Sequence, residues 1–158
     1  MNPIENIVWL DAGTLIANDY NPNHVLSEEL ELIKFSILKN GWIQPILITK
    51  ENVIIDGFHR TTLAKINNWK VPCCVIDVSE QERMLLTIRI NRAKGTHIAY
   101  KMSNIVKKLI GKHKMDKKYL AQAIGATIRE IDLLLQEDVF QKLKIKDHVY
   151  SKAWEVKK

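Results

Sequence analysis

Apolar and polar positions change period along this chain, and each change marks an element. Ile7-Val8-Trp9-Leu10 is a continuous apolar run and reads as a first strand. Ala12 to Asn23 keeps no period, and Asn18, Asn21, Pro22 and Asn23 are turn formers, so this stretch reads as a loop. The period then turns helical. Leu30, Ile33, Ile37 and Leu38 recur at helix spacing, with Ser27 as N-cap, Glu28 and Glu29 in the first turn and Asn40-Gly41 as the stop. Trp42 to Thr49 returns to strand, with Pro45 near its start. Lys50-Glu51-Asn52 turns the chain into a short strand, Val53-Ile54-Ile55. Thr61 to Asn67 predicts a short helix, and Val71 to Val78 a β-branched strand. Glu80 to Asn91 predicts a helix with Met84, Leu85 and Ile88 on one face and Arg89 beside them.

Strand, helix, strand, strand, helix, strand, helix is a small α/β unit. Its sheet is expected to be mixed, because a tight turn joins the 42–49 and 53–55 strands. The remainder is helical. Met102, Ile105, Val106, Leu109 and Ile110 share one face over Tyr100–Gly111, opposite Lys101, Lys107, Lys108 and Lys112. Asp116 caps Lys117–Ile124, Gly125 turns the chain, and Thr127 caps Ile128–Gln136. Leu120, Ala121 and Ile124 are then set to pack on Ile131, Leu134 and Leu135. Two short helices joined through a glycine fit a helix-turn-helix at about 116–136. The predicted fold class is α/β: a small mixed-sheet domain at 1–98, then an all-helical domain at 99–158.

Composition narrows the class. The 158 residues suit one ordinary domain, or a compact domain with a small appendage, and 46% hydrophobic with 27% charged residues is a globular balance. No run approaches the roughly 20 apolar residues of a membrane span, and Met1-Asn2-Pro3-Ile4-Glu5-Asn6 lacks the features of a signal peptide. A cytoplasmic protein without a membrane partner is expected. The only cysteines, Cys73 and Cys74, are adjacent in a strand and point to opposite faces, which disfavours a disulfide between them. Charge is divided unevenly. Residues 1–82 hold six Lys/Arg against eleven Asp/Glu (−5), and residues 83–158 hold eighteen against seven (+11), giving the net +6. A basic back half suggests a polyanion, and DNA is the expected partner.

The candidate chemistry gathers at Asp56-Gly57-Phe58-His59-Arg60-Thr61-Thr62, where a strand ends in a glycine turn and opens into a helix. A helix start presents unpaired N–H groups and a partial positive charge, which suit an anion, most readily a phosphate. Gly57 would let backbone approach it. Arg60 would pair with phosphate oxygens or, alternatively, bridge to Asp56. His59 would donate to a phosphate or hold the turn. Thr61 and Thr62 offer hydroxyls, or simply cap the helix. Asp56 would serve as a catalytic base or metal ligand, or else orient Arg60. Asp19 and His24 are further acid–base candidates in the first loop. A second polar cluster holds Asn91, Arg92 and His97, of which Asn91 and Arg92 would close on the phosphates or a divalent cation, or else are solvated polar residues at a helix end. In the helix-turn-helix, Lys117, Lys118, Thr127 and Arg129 are the candidate DNA contacts, whereas Glu130 and Asp132 would repel phosphates. A module this small contacts few bases, so a homodimer is expected, with residues 137–158 the first place to look for its surface.

These pieces in this order resemble the ParB/sulfiredoxin-like superfamily over roughly residues 7–136. The signposts are Asn21-Pro22, then Gly41-Trp42-Ile43-Gln44-Pro45-Ile46, then the phosphate motif Asp56-Gly57-Phe58-His59-Arg60, then Asn91-Arg92 in the place of a Glu-Asn-x-x-Arg motif. The stretch Ile88 to His97 looks most like phage and prophage ParB-like proteins. The resemblance implies a nucleotide pocket that includes Gln44, with CTP as ligand in ParB proteins and adenine nucleotides in sulfiredoxin and a free-serine kinase. It places Asn91 near a Mg²⁺ that accompanies the nucleoside triphosphate, CTP or ATP. It therefore implies a nucleotide-binding, DNA-binding regulator. The alternatives are a small-molecule phosphotransferase and a nuclease, and NTP hydrolysis or phosphotransfer stays open. Phe58 occupies the position of sulfiredoxin's catalytic cysteine, which removes that chemistry. Ile90 replaces the Glu of the Glu-Asn motif.

Overall fold

A computed structural model describes residues 2–19, 27–94 and 99–136. The chain divides into two compact units, residues 1–87 and 88–158.

The first unit contains β1 (Ile7–Asp11), α1 (Ser27–Asn40), β2 (Ile46–Thr49), β3 (Ile54–Asp56), α2 (Phe58–Ile66) and β4 (Lys70–Ile76), and α3 (Glu80–Ala93) begins in it. The strands form one mixed sheet in the order β1-β4-β2-β3. β1 runs antiparallel to β4, β2 parallel to β4, and β2 antiparallel to β3. The mixed sheet inferred from the tight turn is thus present. Asn52 adopts φ +61° in that turn, a left-handed conformation that asparagine tolerates well. Ile16 covers the outer edge of β3, pairing with Ile54 and Asn52 through backbone hydrogen bonds of 2.9 Å each.

Ile46, Ile48, Ile54, Val71 and Cys73 contribute the sheet's side of the core, and Phe58 and Ala64 of α2 close it with Ala12 and Leu15. β4 is buried from Val71 through Cys74, as expected of a strand with neighbours on both sides and cover on both faces. Both cysteines are free and buried. Burial, with a smaller contribution from Cys74, pushes the Cys73 thiol up to about 11.

Two boundaries differ from the periodic reading by three residues or more. β2 begins at Ile46 rather than Trp42, since Pro45 has no N–H to give a ladder and the carbonyls of Gln44 and Pro45 are taken by Arg60. α2 begins at Phe58 rather than Thr61, because Gly57 in the left-handed region is its N-cap. Leu38 is a third correction: it is exposed on the outer face of α1, not aligned with half-buried Ile33 and Ile37.

The second unit contains the end of α3, then α4 (Ala99–Gly111), α5 (Lys117–Ile124) and α6 (Ile128–Leu135). Asp116 accepts from Tyr119 N at 2.9 Å and Thr127 accepts from Glu130 N at 3.1 Å, so both expected caps are in place. Gly125 has φ +67° between the two helices. Leu120, Ala121, Ile124, Ile131 and Leu134 are buried, and α6 packs on both α4 and α5. Among the described residues no helix is long and apolar enough to cross a membrane.

Candidate functional site

The glycine turn is built on a backbone conformation that favours glycine. Gly57 has φ +101°, and a Cβ there would lie 2.7 Å from Ile46 Cδ1. The first intrahelical bond of α2 runs from Thr61 N to Gly57 O at 2.9 Å. The N–H groups of Phe58, His59 and Arg60 precede it, at the positive end of the helix.

Arg60 occupies the third position of α2 and is the hub of this turn. Its Nη1 donates to Gln44 O at 2.8 Å and Pro45 O at 3.1 Å, and its Nη2 donates to Asp56 Oδ2 at 3.2 Å. These bonds engage three of the five N–H donors of a guanidinium. Burial lowers the Arg60 pKa and the Asp56 carboxylate raises it, the burial being the larger effect. Arginine nevertheless remains cationic at neutral pH. Both roles weighed for Arg60 therefore bear on one side chain: it bridges to Asp56 and has donors beyond that bridge.

A cavity of about 150 Å³ opens beside it. Ile33, Ile37, Trp42 and Ile43 give apolar walls, and Ser36, Gln44 and Arg60 are the polar lining. This is smaller than the roughly 300 Å³ at which ligand pockets usually begin, so it suits a part of a ligand rather than all of one.

The sequence candidates now have places. Asp56, Gly57, His59, Arg60 and Thr62 share the turn and the first turns of α2, with His59 and Thr62 half-buried. Thr61 is a correction: its buried hydroxyl donates back to Gly57 O at 3.0 Å, so neither it nor Thr62 caps the helix. Phe58 is buried in the core. Asn91 and Arg92 belong to the second unit. There Arg92 donates to Glu130 Oε1 at 2.5 Å and Gly125 O at 3.0 Å. Lys117 pairs with Asp132 at 2.7 Å, while Lys118 and Arg129 are exposed. His24, His97 and residues 137–158 lie outside the described residues. Among the described residues no three His, Cys, Asp or Glu side chains gather as a metal site.

Sequence reasoning missed two residues. Asn18, a turn former by residue type, is buried, and its Nδ2 donates to Ile54 O at 2.9 Å. Its Oδ1 has no hydrogen-bond partner among the described residues. Arg89, which its period places beside the apolar face of α3, donates from Nε to Ala123 O at 2.7 Å. The signal for Asn18 was a polar residue in an otherwise apolar stretch, Leu15-Ile16-Ala17.

The family model of the ParB N-terminal domain matches residues 2–91, which contain the whole sheet, the glycine turn and Arg60. The chain belongs to this family. YbdM of Escherichia coli K12, an uncharacterized protein, is 33% identical to this ParB-family chain over 98% of the chain and 78% of YbdM. Two solved structures of the C-terminally truncated chromosome-partitioning protein ParB of Caulobacter crescentus share the fold. The form complexed to the centromeric parS site has a TM-score of 0.55 at 20% identity, covering 87% of this chain and 77% of that one. The form complexed with CTP-γ-S has a TM-score of 0.51 at 22% identity, covering 88% and 84%.

Proposed function

We infer that this ParB-family chain is a nucleotide-responsive DNA-binding regulator. A cytoplasmic role, a nucleotide-binding part over residues 1–98 and a DNA-binding part over 99–158 belong to this reading. The observation that carries it is the Gly57 turn: a glycine in the left-handed conformation that side chains rarely adopt brings three first-turn N–H groups beside a guanidinium with donors to spare. A triphosphate would sit on the turn, with Gln44 and the apolar cavity taking a less polar part of the ligand. The Caulobacter crescentus ParB complexed with CTP-γ-S favours CTP over ATP, and the parS complex favours DNA as the macromolecular partner. Asp56 is held by Arg60, which supports the orienting role over that of a catalytic base. In the second unit α5 and α6 would act as the helix-turn-helix, with Lys118, Thr127 and Arg129 toward DNA.

Thermal stability against CTP, ATP, ADP and GTP, with and without Mg²⁺, tests the nucleotide half. A ligand at about a hundred times its Kd stabilises the folded state by roughly 2.7 kcal/mol. CTP should raise Tm, and Arg60→Ala should remove that rise while the far-UV spectrum is kept. A rise with CTP that survives in Arg60→Ala would sink the assignment of the turn.

A further inference from the structure

Helix α1 carries a face that the fold leaves unused. Ile33 and Ile37 are half-buried beside the cavity, whereas Leu32, Phe35 and Leu38 are 72%, 65% and 67% exposed. At 3.6 residues per turn, Glu31, Leu32, Leu38 and Lys39 all fall within about 60° of Phe35. These five residues form one stripe, Glu-Leu-x-x-Phe-x-x-Leu-Lys, and Glu31 and Lys39 are exposed as well. The stripe is symmetric about Phe35 in its apolar groups and antisymmetric in its charges. A leucine lies three residues to either side, and a charge of opposite sign lies four residues to either side.

An isologous contact requires that pattern, since the same patch must complement itself. Two α1 helices crossing antiparallel about an axis at Phe35 would set Phe35 on Phe35 of the partner subunit and Leu32 on Leu38 of the partner subunit. Glu31 would then face Lys39 of the partner subunit, twice over. We propose that the outer face of α1 is a homodimer surface, covered by α1 of a second copy of this chain. Parallel pairing would set Glu31 on Glu31 and is disfavoured. Lys39 already lies over the Phe35 ring, 5.7 Å from its centroid, which holds its charge along the stripe.

The area is sufficient for a specific but weak pair. The three apolar side chains expose on the order of 400 Å² per copy. Two copies with the stems of Glu31 and Lys39 would bury about 1,000 Å², the lower limit for a specific interface. The pairing does not depend on nucleotide or DNA binding.

Sedimentation equilibrium of the full chain across the micromolar range is the test. The expected result is a reversible monomer–dimer equilibrium. Phe35→Glu sets two carboxylates on the axis and should give a monomer with an unchanged far-UV spectrum, since Phe35 is not a core residue. Glu31→Lys sets lysine against lysine at both ends and should weaken the dimer about tenfold or more. The double reversal Glu31→Lys/Lys39→Glu should recover it. A wild-type chain that stays monomeric overturns the proposal and leaves the stripe for another protein. A dimer that survives Phe35→Glu, or that the double reversal does not recover, places the interface elsewhere and overturns it too.

Discussion

Arg92 ties the end of α3 to the front of α6, donating from Nη1 to Glu130 Oε1 at 2.5 Å and from Nη2 to Gly125 O at 3.0 Å. Arg89, one turn earlier, donates to Ala123 O at 2.7 Å. The last carbonyls of α5 lack intrahelical partners, and cations suit that end of the dipole. The two arginines therefore complete α5 and fix the turn into α6. Glu130, an acid that on sequence alone opposes DNA, is neutralised within the protein. Arg92→Ala should destabilise the second unit by about 1–2 kcal/mol, because the pair is partly screened but its loss removes the bonds that Arg92 gives Glu130 and Gly125 O. Urea unfolding followed by helix content reads this. Arg92→Lys, which cannot fork between two acceptors, should recover less than half of the loss.

Gly57→Ala isolates the turn. The left-handed φ and the approach of Ile46 together should cost about 1–3 kcal/mol in urea unfolding. Ile46 Cδ1 can swing aside and Ile46 Cα at 3.4 Å is in ordinary contact, so the lasting cost lies in the left-handed φ of +101°. Strain in the backbone should therefore persist after any side-chain relief. A wild-type urea midpoint in Gly57→Ala would show that the turn tolerates a side chain and remove the steric argument for its role.

The cysteines give a pH dependence with a definite sign. Cys73 ionises near 11 when folded and near its ordinary value of 9 when unfolded. Between those values the unfolded chain has released a proton that the folded chain still holds, so stability falls as pH rises from about 9 to 11. The wild type should lose up to about 1.4 kcal/mol per pH unit there from this group. Cys73→Ser removes that slope even if it lowers stability overall. Equal slopes in the two proteins, measured by urea unfolding at several pH values, would remove Cys73 as its source.

Much of this was legible because it is local. Asp116 and Thr127 announce helix starts, Gly41 and Gly125 announce stops, and period separates strand from helix. The mixed sheet followed from one short turn, and the glycine turn was found from residue types alone. What stayed hidden depends on contacts distant in sequence. Arg60 reaches the carbonyls of Gln44 and Pro45, Asn18 reaches Ile54, and Arg92 reaches Glu130. No spacing rule predicts those partners. Leu38 was misread for a different reason: it lies at a helical interval from its neighbours, but apolar residues occupy both faces of α1, so period alone does not say which face is buried.

Asp132 offers the sharpest test of the DNA reading. Its carboxylate holds Lys117 Nζ at 2.7 Å, with both side chains about half exposed. An ion pair in that setting contributes little to stability, at most about 1 kcal/mol, so Asp132→Ala should leave the fold intact. It should also free Lys117 for a phosphate and remove a repulsive charge. Each phosphate newly neutralised adds about 0.9 to the log–log salt slope of duplex binding. Asp132→Ala should therefore bind random-sequence duplex several-fold more tightly at low salt, with a steeper salt dependence, as read by fluorescence anisotropy. In Lys117→Ala/Asp132→Ala the slope should return to that of the wild type, because the freed cation is gone. Arg129→Ala should lower the slope by about the same step in either background. Weaker binding by a folded Asp132→Ala would mean that this face of α5 and α6 does not meet the phosphate backbone.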